Sequence, residues 1–205
     1  LNTTYYGYEE AVFNNQGRGF QGFRKITSED HIRSPAGVID NADNDVRTVS
    51  EFHQVFPLSG RLRRSIIYPA TLVWTGVENE NQSLSVANTD WACLIPDANS
   101  NLAGTLVADC DIGSGSAPRS HANGVYQVMM SSQNSQQREP NTLQIYQSSG
   151  NFNRSYDAYG NLLSETHQTS DYLDGLGLFP DVKFTQVMDY EYINNEAQWW
   201  IGQLE

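Results

Sequence analysis

Residues 154–165 read RSYDAYGNLLSE, and this stretch predicts the fold most directly. Tyr156 and Asp157 precede Gly160, and the residues after the glycine alternate between apolar and polar side chains. Glycine adopts the positive φ that tight turns need, and an aspartate side chain can accept hydrogen bonds from the backbone of its own turn. The stretch therefore predicts a β-hairpin turn, and NTLQIYQ (141–147) and NLLSETHQTS (161–170) are further candidate strands.

The most regular alternation in the chain is VKFTQVMDYEYI, residues 182–193. Side chains that alternate with a period of two lie on opposite faces of a β-strand. The pattern therefore predicts a strand with one buried face, made of Val182, Phe184, Met188, Tyr190 and Tyr192.

Two further hairpins are predicted in the first third of the chain. RTVSEFHQVF (47–56) and RLRRSIIY (61–68) flank the turn residues PLSG (57–60), and TTYYGYEEAVF and GFQGFRKITS flank NNQGRG. Amphipathic helix patterns are weak, and NNEAQWWIGQL is compatible with a helical turn, a strand or a loop. We therefore predict an all-β fold of antiparallel hairpins.

The composition of residues 77–140 differs from that of the flanking regions. This region is rich in Asn, Ser, Gly and Asp, with short apolar islands between them. It predicts a polar, irregular β-rich insertion or a small β lobe, between a hairpin region at 1–76 and another at 141–205. SSQNSQQREPN (131–141) and HIRSPAGVIDNADND (31–45) are predicted to be loops.

The acidic charge of the chain disfavours negatively charged binding partners. The chain carries 24 acidic and 12 basic residues, a net charge of −12. Such a chain repels phosphate backbones and anionic lipid surfaces, so nucleic acid is excluded as an expected partner. Apolar runs are much shorter than the roughly 18 residues of a membrane-spanning helix. Both ends interrupt patterned sequence, so we expect a segment of a longer protein.

Two cysteines, Cys93 and Cys110, leave two interpretations open. In an oxidising compartment they can form one disulfide, which would stabilise the fold by roughly 3 kcal/mol in the chain-entropy model. Alternatively, each is a separate buried thiol. A zinc site is disfavoured, because the two are widely spaced and have no second Cys or His pair beside them.

Candidate ligand sites are few, and each has a simpler explanation. Asp40, Asp43 and Asp45 lie close together in the sequence and carry the hard oxygen ligands that Ca²⁺ prefers. The glycine and terminal glutamate of an EF-hand loop are missing, so a solvated polar loop is favoured. Calcium is thus the one possible cofactor, and we expect no other.

The sequence contains no recognisable catalytic motif that would indicate an enzyme. The four histidines are scattered, and the chain contains no nucleophile elbow, phosphate-binding loop or paired-carboxylate motif. We therefore assign no catalytic residues and predict a non-enzymatic protein.

The tryptophans allow a different class of function. If exposed, they would form a platform for stacking sugar rings, although tryptophan more often packs in a core or along an interior wall. The four are Trp74, Trp91, Trp199 and Trp200.

Several stretches together resemble Rhs/YD-repeat proteins, in particular the B component of bacterial insecticidal toxin complexes and SpvB-type proteins. The matching stretches occur in the same order as in that family. They are a Gly-Arg-Gly turn and Gly-Phe strand (Gly17, Arg18, Gly19, Gly22, Phe23), a Phe-Pro turn (Phe56, Pro57, Gly60), the YD motif (Tyr156, Asp157, Gly160, Asn161), and a Trp-x-Gly ending (Trp200, Gly202).

The resemblance implies a YD-repeat sheet that forms part of a shell around cargo in a secreted bacterial protein. Its expected partners are flanking repeats of the same polypeptide or other toxin-complex subunits. The family's Asp-Pro-x-Gly cleavage stretch is missing, so the scaffold role carries over and the cleavage activity does not. The alternative is an extracellular module that binds a glycan or a cell surface through its aromatic residues.

Overall fold

The computed structural model describes residues 2–14, 19–32, 46–69, 78–97, 100–108, 110, 127–172, 182–195 and 200–204. These residues form twelve β-strands. In chain order they are β1 (Asn2–Asn14), β2 (Gly19–Ile32), β3 (Val46–Phe52), β4 (Leu62–Pro69), β5 (Ser85–Asp97), β6 (Ser100–Ala108), β7 (Gln127–Arg138), β8 (Ile145–Tyr156), β9 (Leu162–Asp171), β10 (Val182–Asp189), β11 (Tyr192–Asn195) and β12 (Trp200–Leu204).

The predicted all-β class is confirmed. Helical structure among the described residues is limited to 3-10 turns, at Glu80–Gln82 and at Cys110. Within the same part of the chain, no helix has the length and apolarity needed to cross a membrane.

The strands divide between two compact units. Unit 1 contains residues 1–88, 135–148 and 170–182, and unit 2 contains residues 89–134, 149–169 and 183–205. The bounds of these units do not coincide with the sequence-based division at 77 and 140, which stays a prediction.

In unit 1, strands β1 to β5 are hydrogen-bonded in sequence order. β3 and β4 pair antiparallel with Val49 opposite Ile66, and Ile66 in turn lies opposite Val86 of β5. Alternation brings Ile66 and Tyr68 to the same face, where they form a buried cluster with Val49 and Val86. The predicted hairpin across residues 47–68 is confirmed, and this face is its core.

The turn between β3 and β4 is closed by backbone hydrogen bonds. The His53 amide donates to the Arg61 carbonyl at 2.9 Å, and the Gly60 amide donates to the His53 carbonyl at 2.9 Å. Gly60 has a φ of 79°, which glycine adopts without steric cost. Pro57 follows a cis peptide bond, and Leu58 is buried within the turn.

In unit 2, the strand order is β5, β6, β8, β9, β10, with β7 paired to both β5 and β8. β11 and β12 form a separate antiparallel pair, which resolves NNEAQWWIGQL as strand on either side of residues 196–199. Ala92, Cys93 and Leu94 of β5 are buried, and the sulfur atoms of Cys93 and Cys110 form a disulfide.

Two expectations about these strands are wrong. The predicted loop at 131–141 is strand as far as Arg138, because two neighbouring strands supply hydrogen bonds to its polar backbone. At 182–193 the predicted alternation is kept by Met188, Tyr190 and Tyr192, which are half-buried between exposed neighbours, but Phe184 of the same predicted face is 58% exposed, so its predicted burial is wrong. β10 is the last strand in its order, so among the described residues β9 covers it on one side only. The other predicted loop, 31–45, lies outside the described residues from residue 33 onward.

Candidate functional site: the YD turn and its polar cluster

The turn between β8 and β9 is organised by one carboxylate. Asp157 is 2% exposed, and its Oδ1 accepts hydrogen bonds from the backbone amides of Tyr159 at 2.9 Å and Asn161 at 2.8 Å. Its Oδ2 accepts a third bond from the Asn161 side-chain amide at 2.8 Å. Gly160, with a φ of 91°, donates its amide to the Asp157 carbonyl at 3.2 Å. The turn chemistry predicted from the sequence is therefore what the structure contains.

Tyr156 attaches this turn to the neighbouring strand. Its ring is buried, and its hydroxyl donates a hydrogen bond of 2.6 Å to the Met130 carbonyl in β7. Burial raises the pKa of the Tyr156 phenol, because the charged phenolate loses solvation there. The Tyr-Asp pair thus performs two tasks, with the tyrosine fixing the hairpin to β7 and the aspartate closing the turn.

A glycine on β6 gives the turn its close approach to that strand. The Cα of Gly104 is the register partner of the Cα of Tyr156. A Cβ at this position would collide with the Leu94 side chain and lie 3.3 Å from the Asp157 carbonyl oxygen. A larger residue at Gly104 would therefore force the buried Leu94 side chain to shift and would crowd the backbone of the YD turn.

A buried ion pair lies farther along the same hairpin. The carboxylate of Glu165 on β9 accepts from Arg154 on β8, at 3.0 Å from Nε and 2.9 Å from the terminal nitrogen. It also accepts from the Asn151 amide at 3.2 Å and the Tyr190 hydroxyl at 3.4 Å. Four donor contacts on one carboxylate compensate the cost of burying its charge.

An interruption in β8 brings the donors together. Asn151 and Arg154 are three residues apart, and strict alternation would place them on opposite faces. Asn153 lies between them with a φ of 52°, which breaks the alternation. Both side chains thereby reach Glu165.

The cluster continues to a histidine on β9. His167 Nδ1 lies 2.6 Å from Asn151 Oδ1, and Thr169 Oγ1 lies 3.2 Å from His167 Nε2. Because Asn151 Nδ2 donates to Glu165, its oxygen is the acceptor, which makes His167 Nδ1 the donor. The resulting chain of hydrogen bonds links β8 to β9 and is suited to holding two strands in register.

The structure places the other predicted residues as follows. Trp91 lies in β5 and is partly buried, and Trp200 begins β12. Trp74, Trp199, Gly17, Arg18 and the three aspartates Asp40, Asp43 and Asp45 lie outside the described residues, so the calcium and glycan sites stay predictions. No group of three potential metal ligands occurs in the part of the chain that the structure describes.

The remaining motif glycines have turn or bulge conformations. Gly19 has a φ of 70° and Gly22 a φ of 94°, both in the range that favours glycine. Gly22 lies where the β1–β2 register shifts, between Phe23 opposite Ala11 and Phe20 opposite Phe13.

The Glu165 cluster was not predicted from the sequence. One usable signal is present, because a charged residue in the middle of the alternating run at 161–170 needs a partner if its face is buried. Arg154 precedes the turn by about the distance that Glu165 follows it, which marks it as the cross-strand candidate.

The fold built around this turn is similar to known toxin-complex structures. Neither a protein-family profile nor a curated protein sequence matches the chain. The crystal structure of TcdB2-TccC3 without its hypervariable C-terminal region superposes with a TM-score of 0.64 at 12% identity. Those of TcdB2-TccC3-Cdc42 and TcdB2-TccC3-TEV give TM-scores of 0.63 and 0.61, also at 12% identity.

These similarities extend along 99–100% of this chain but only 12% of each matched chain. At this level of identity the similarity establishes the fold, and the chain therefore has a toxin-complex-like all-β fold. It spans about an eighth of the length of the chains that it matches, consistent with the 12% coverage.

We predict that Asp157→Ala destabilises the protein by about 3 kcal/mol, because it leaves two part-buried turn amides and the Asn161 side chain without their acceptor. Asp157→Asn retains one oxygen and is expected to cost less. Urea unfolding measures both, and Asp189→Ala on the exposed side of β10 is the matched control. Equal midpoints for Asp157→Ala and Asp189→Ala would contradict the assigned role.

The raised pKa of Tyr156 predicts a pH dependence at alkaline pH. The unfolded phenol ionises near pH 10 while the folded one stays protonated, so the stability that Tyr156 contributes is complete below about pH 10 and declines above it. We expect the difference in unfolding free energy between the native chain and Tyr156→Phe to shrink as the pH rises past 10. Urea titrations across pH 8–11 measure it, and a constant difference would refute this prediction.

Proposed function

We propose that the chain is a non-catalytic β scaffold segment of a secreted, Rhs/YD-repeat, toxin-complex-like protein, and that it contributes to a shell around cargo. The observation that carries this proposal is the whole-length likeness to TcdB2-TccC3 structures. A segment that matches from end to end, yet accounts for 12% of the matched chain, is suited to be one piece of a larger continuous sheet.

The use of the polar groups supports a structural role. The Asp157 carboxylate is engaged by its own turn, and the Glu165 carboxylate is engaged by Arg154, Asn151 and Tyr190. A catalytic carboxylate needs an oxygen directed at a substrate, whereas these two groups stabilise a hairpin. The arrangement favours a scaffold over an enzyme.

The two ends of the strand order support partners within a larger sheet. β1 and β10 are the terminal strands, and each is paired on one side among the described residues. Unpaired strand edges bind further strands readily. Flanking repeats of the same polypeptide, or another toxin-complex subunit, are the partners that would complete them.

The disulfide supports the proposed location. Cys93 and Cys110 are both buried and bonded to each other. Structural disulfides persist in oxidising compartments and are uncommon in a reducing cytosol. The disulfide therefore fits the proposed secreted or extracellular location of a bacterial protein.

Electron cryomicroscopy of the intact gene product tests the proposal. We expect a closed β-walled shell in which these residues form part of the wall, with density for a separate polypeptide inside. A small isolated module with these residues on a stalk, or a compact body without an enclosed space, would overturn the scaffold proposal. In that case, saturable binding on a glycan array that is lost in Trp91→Ala would support the binding-module alternative.

A further inference from the structure

Five aromatic rings form a continuous line on the β1–β2 hairpin of unit 1, and we call this line the ring track. Tyr6 and Tyr8 stack with their ring centroids 6.5 Å apart, and Tyr8 lies 4.8 Å from Phe23. Phe20 continues the line at 5.4 Å from Phe23, and Phe13 ends it at 5.8 Å from Phe20.

Two backbone irregularities bring these rings together. Glu10 has a φ of 53°, and Gly22 has a φ of 94° at the point where the β1–β2 register shifts. Each interrupts the alternation of its strand. Strict alternation would place Phe13 on the face opposite Tyr8 and Phe20 on the face opposite Phe23; with the irregularities, Phe13 and Phe20, which are register partners, continue the line of rings.

The ring track is exposed to solvent. The exposed fractions are 62% for Tyr6, 55% for Tyr8, 69% for Phe13 and 51% for Phe20. Aromatic side chains bury about 150–250 Å² each, so these four leave on the order of 400–500 Å² of contiguous surface exposed. A patch of that size matches the largest apolar patch of a typical monomer, about 300–600 Å², which is often functional.

The size of the patch argues against a second copy of the chain. A stable protein–protein interface buries about 800 Å² on each partner, roughly twice what the four rings offer. A single extended strand is narrower, and it would gain main-chain hydrogen bonds as well as ring contacts. β1 provides these hydrogen bonds, because among the described residues its one strand neighbour is β2.

The local charge indicates what else the strand carries. Lys25 Nζ lies 3.0 Å from carboxylates of both Glu9 and Glu78, so this group of three has a surplus negative charge. Arg24 and Glu10 form a balanced pair at 2.8 Å. The whole chain carries −12. A basic segment is favoured over an acidic one by both the local and the overall charge.

We propose that β1 and the ring track bind an extended polypeptide strand whose side chains alternate between apolar and basic. Its backbone pairs with β1, its apolar residues lie next to the β1 rings of the track, and its basic residues lie next to Glu9. This inference rests on the proposed scaffold function, in which a further strand joins the sheet at β1. It adds the chemistry of that strand.

A synthetic peptide of alternating leucine and lysine is the probe. We expect saturable binding to the 205-residue chain, measured by fluorescence anisotropy, with nuclear magnetic resonance shifts concentrated in the amides of β1. The double variant Phe13→Ser/Phe20→Ser is expected to weaken binding at least about tenfold, because it removes two anchor rings. Val55→Ser, an equally exposed apolar residue outside the ring track, is the matched control and is expected to bind normally.

Three further measurements keep the inference falsifiable. Tyr6→Ser at the other end of the ring track provides a second variant if the double variant fails to fold. A block peptide with all its leucines before all its lysines, and an alternating leucine–glutamate peptide, are both expected to bind several-fold more weakly. Equal affinity for the block peptide, or unchanged affinity in the ring variants, would overturn the inference.

These outcomes are separable from those of the scaffold proposal. A shell seen by cryomicroscopy without peptide binding would reject the ring-track inference alone. Peptide binding by a protein that forms no shell would reject the scaffold role alone. Concentration-dependent dimers that the double variant abolishes would show that a second copy is the occupant, which would also overturn the inference.

Discussion

The carboxylate of Asp157 is the interaction on which the β8–β9 hairpin depends. It accepts three hydrogen bonds within five residues, two of them from part-buried backbone amides of its own turn. Once the turn is closed, Tyr156 is directed at the Met130 carbonyl and Gly104 can approach the turn backbone. The register of β8 against β9 then brings Arg154 to Glu165. A local turn thus sets the position of a buried ion pair several residues away.

Features encoded by neighbouring residues were predictable from the sequence. The YD turn needs Asp157 and Gly160 at a fixed spacing, and the β3–β4 core needs Ile66 and Tyr68 two residues apart. Features that depend on distant partners were not. The Ser- and Gln-rich residues 131–138 have the composition of a loop, and they form a strand because β5 and β8 pair with them. The alternating sequence around Phe184 predicts a buried side chain, but β10 is the last strand in its order and Phe184 is exposed. The Glu165 cluster needs the positive φ of Asn153, which composition does not signal.

The two edges of the strand order differ in character. β1 is exposed along most of its length and carries clustered rings, while β10 presents Phe184 and Val187 beside polar neighbours. Neither edge has the lysine-rich or proline-rich sequence that often prevents edge-to-edge pairing. Strands built this way are suited to having neighbours, which agrees with a segment that forms part of a larger sheet and with the whole-length likeness to toxin-complex structures.

The central claim is that these strands form part of a continuous β wall, and amide hydrogen exchange tests it most directly. Exchange is measured on the isolated 205-residue chain and on the intact gene product that contains it. The account predicts that alternate amides of β1 and β10 exchange rapidly in the isolated chain and become protected in the intact protein, while β3 and β4 are protected in both. Equally rapid exchange at both edges in the two samples would contradict it, because the strands would then have no neighbours to join.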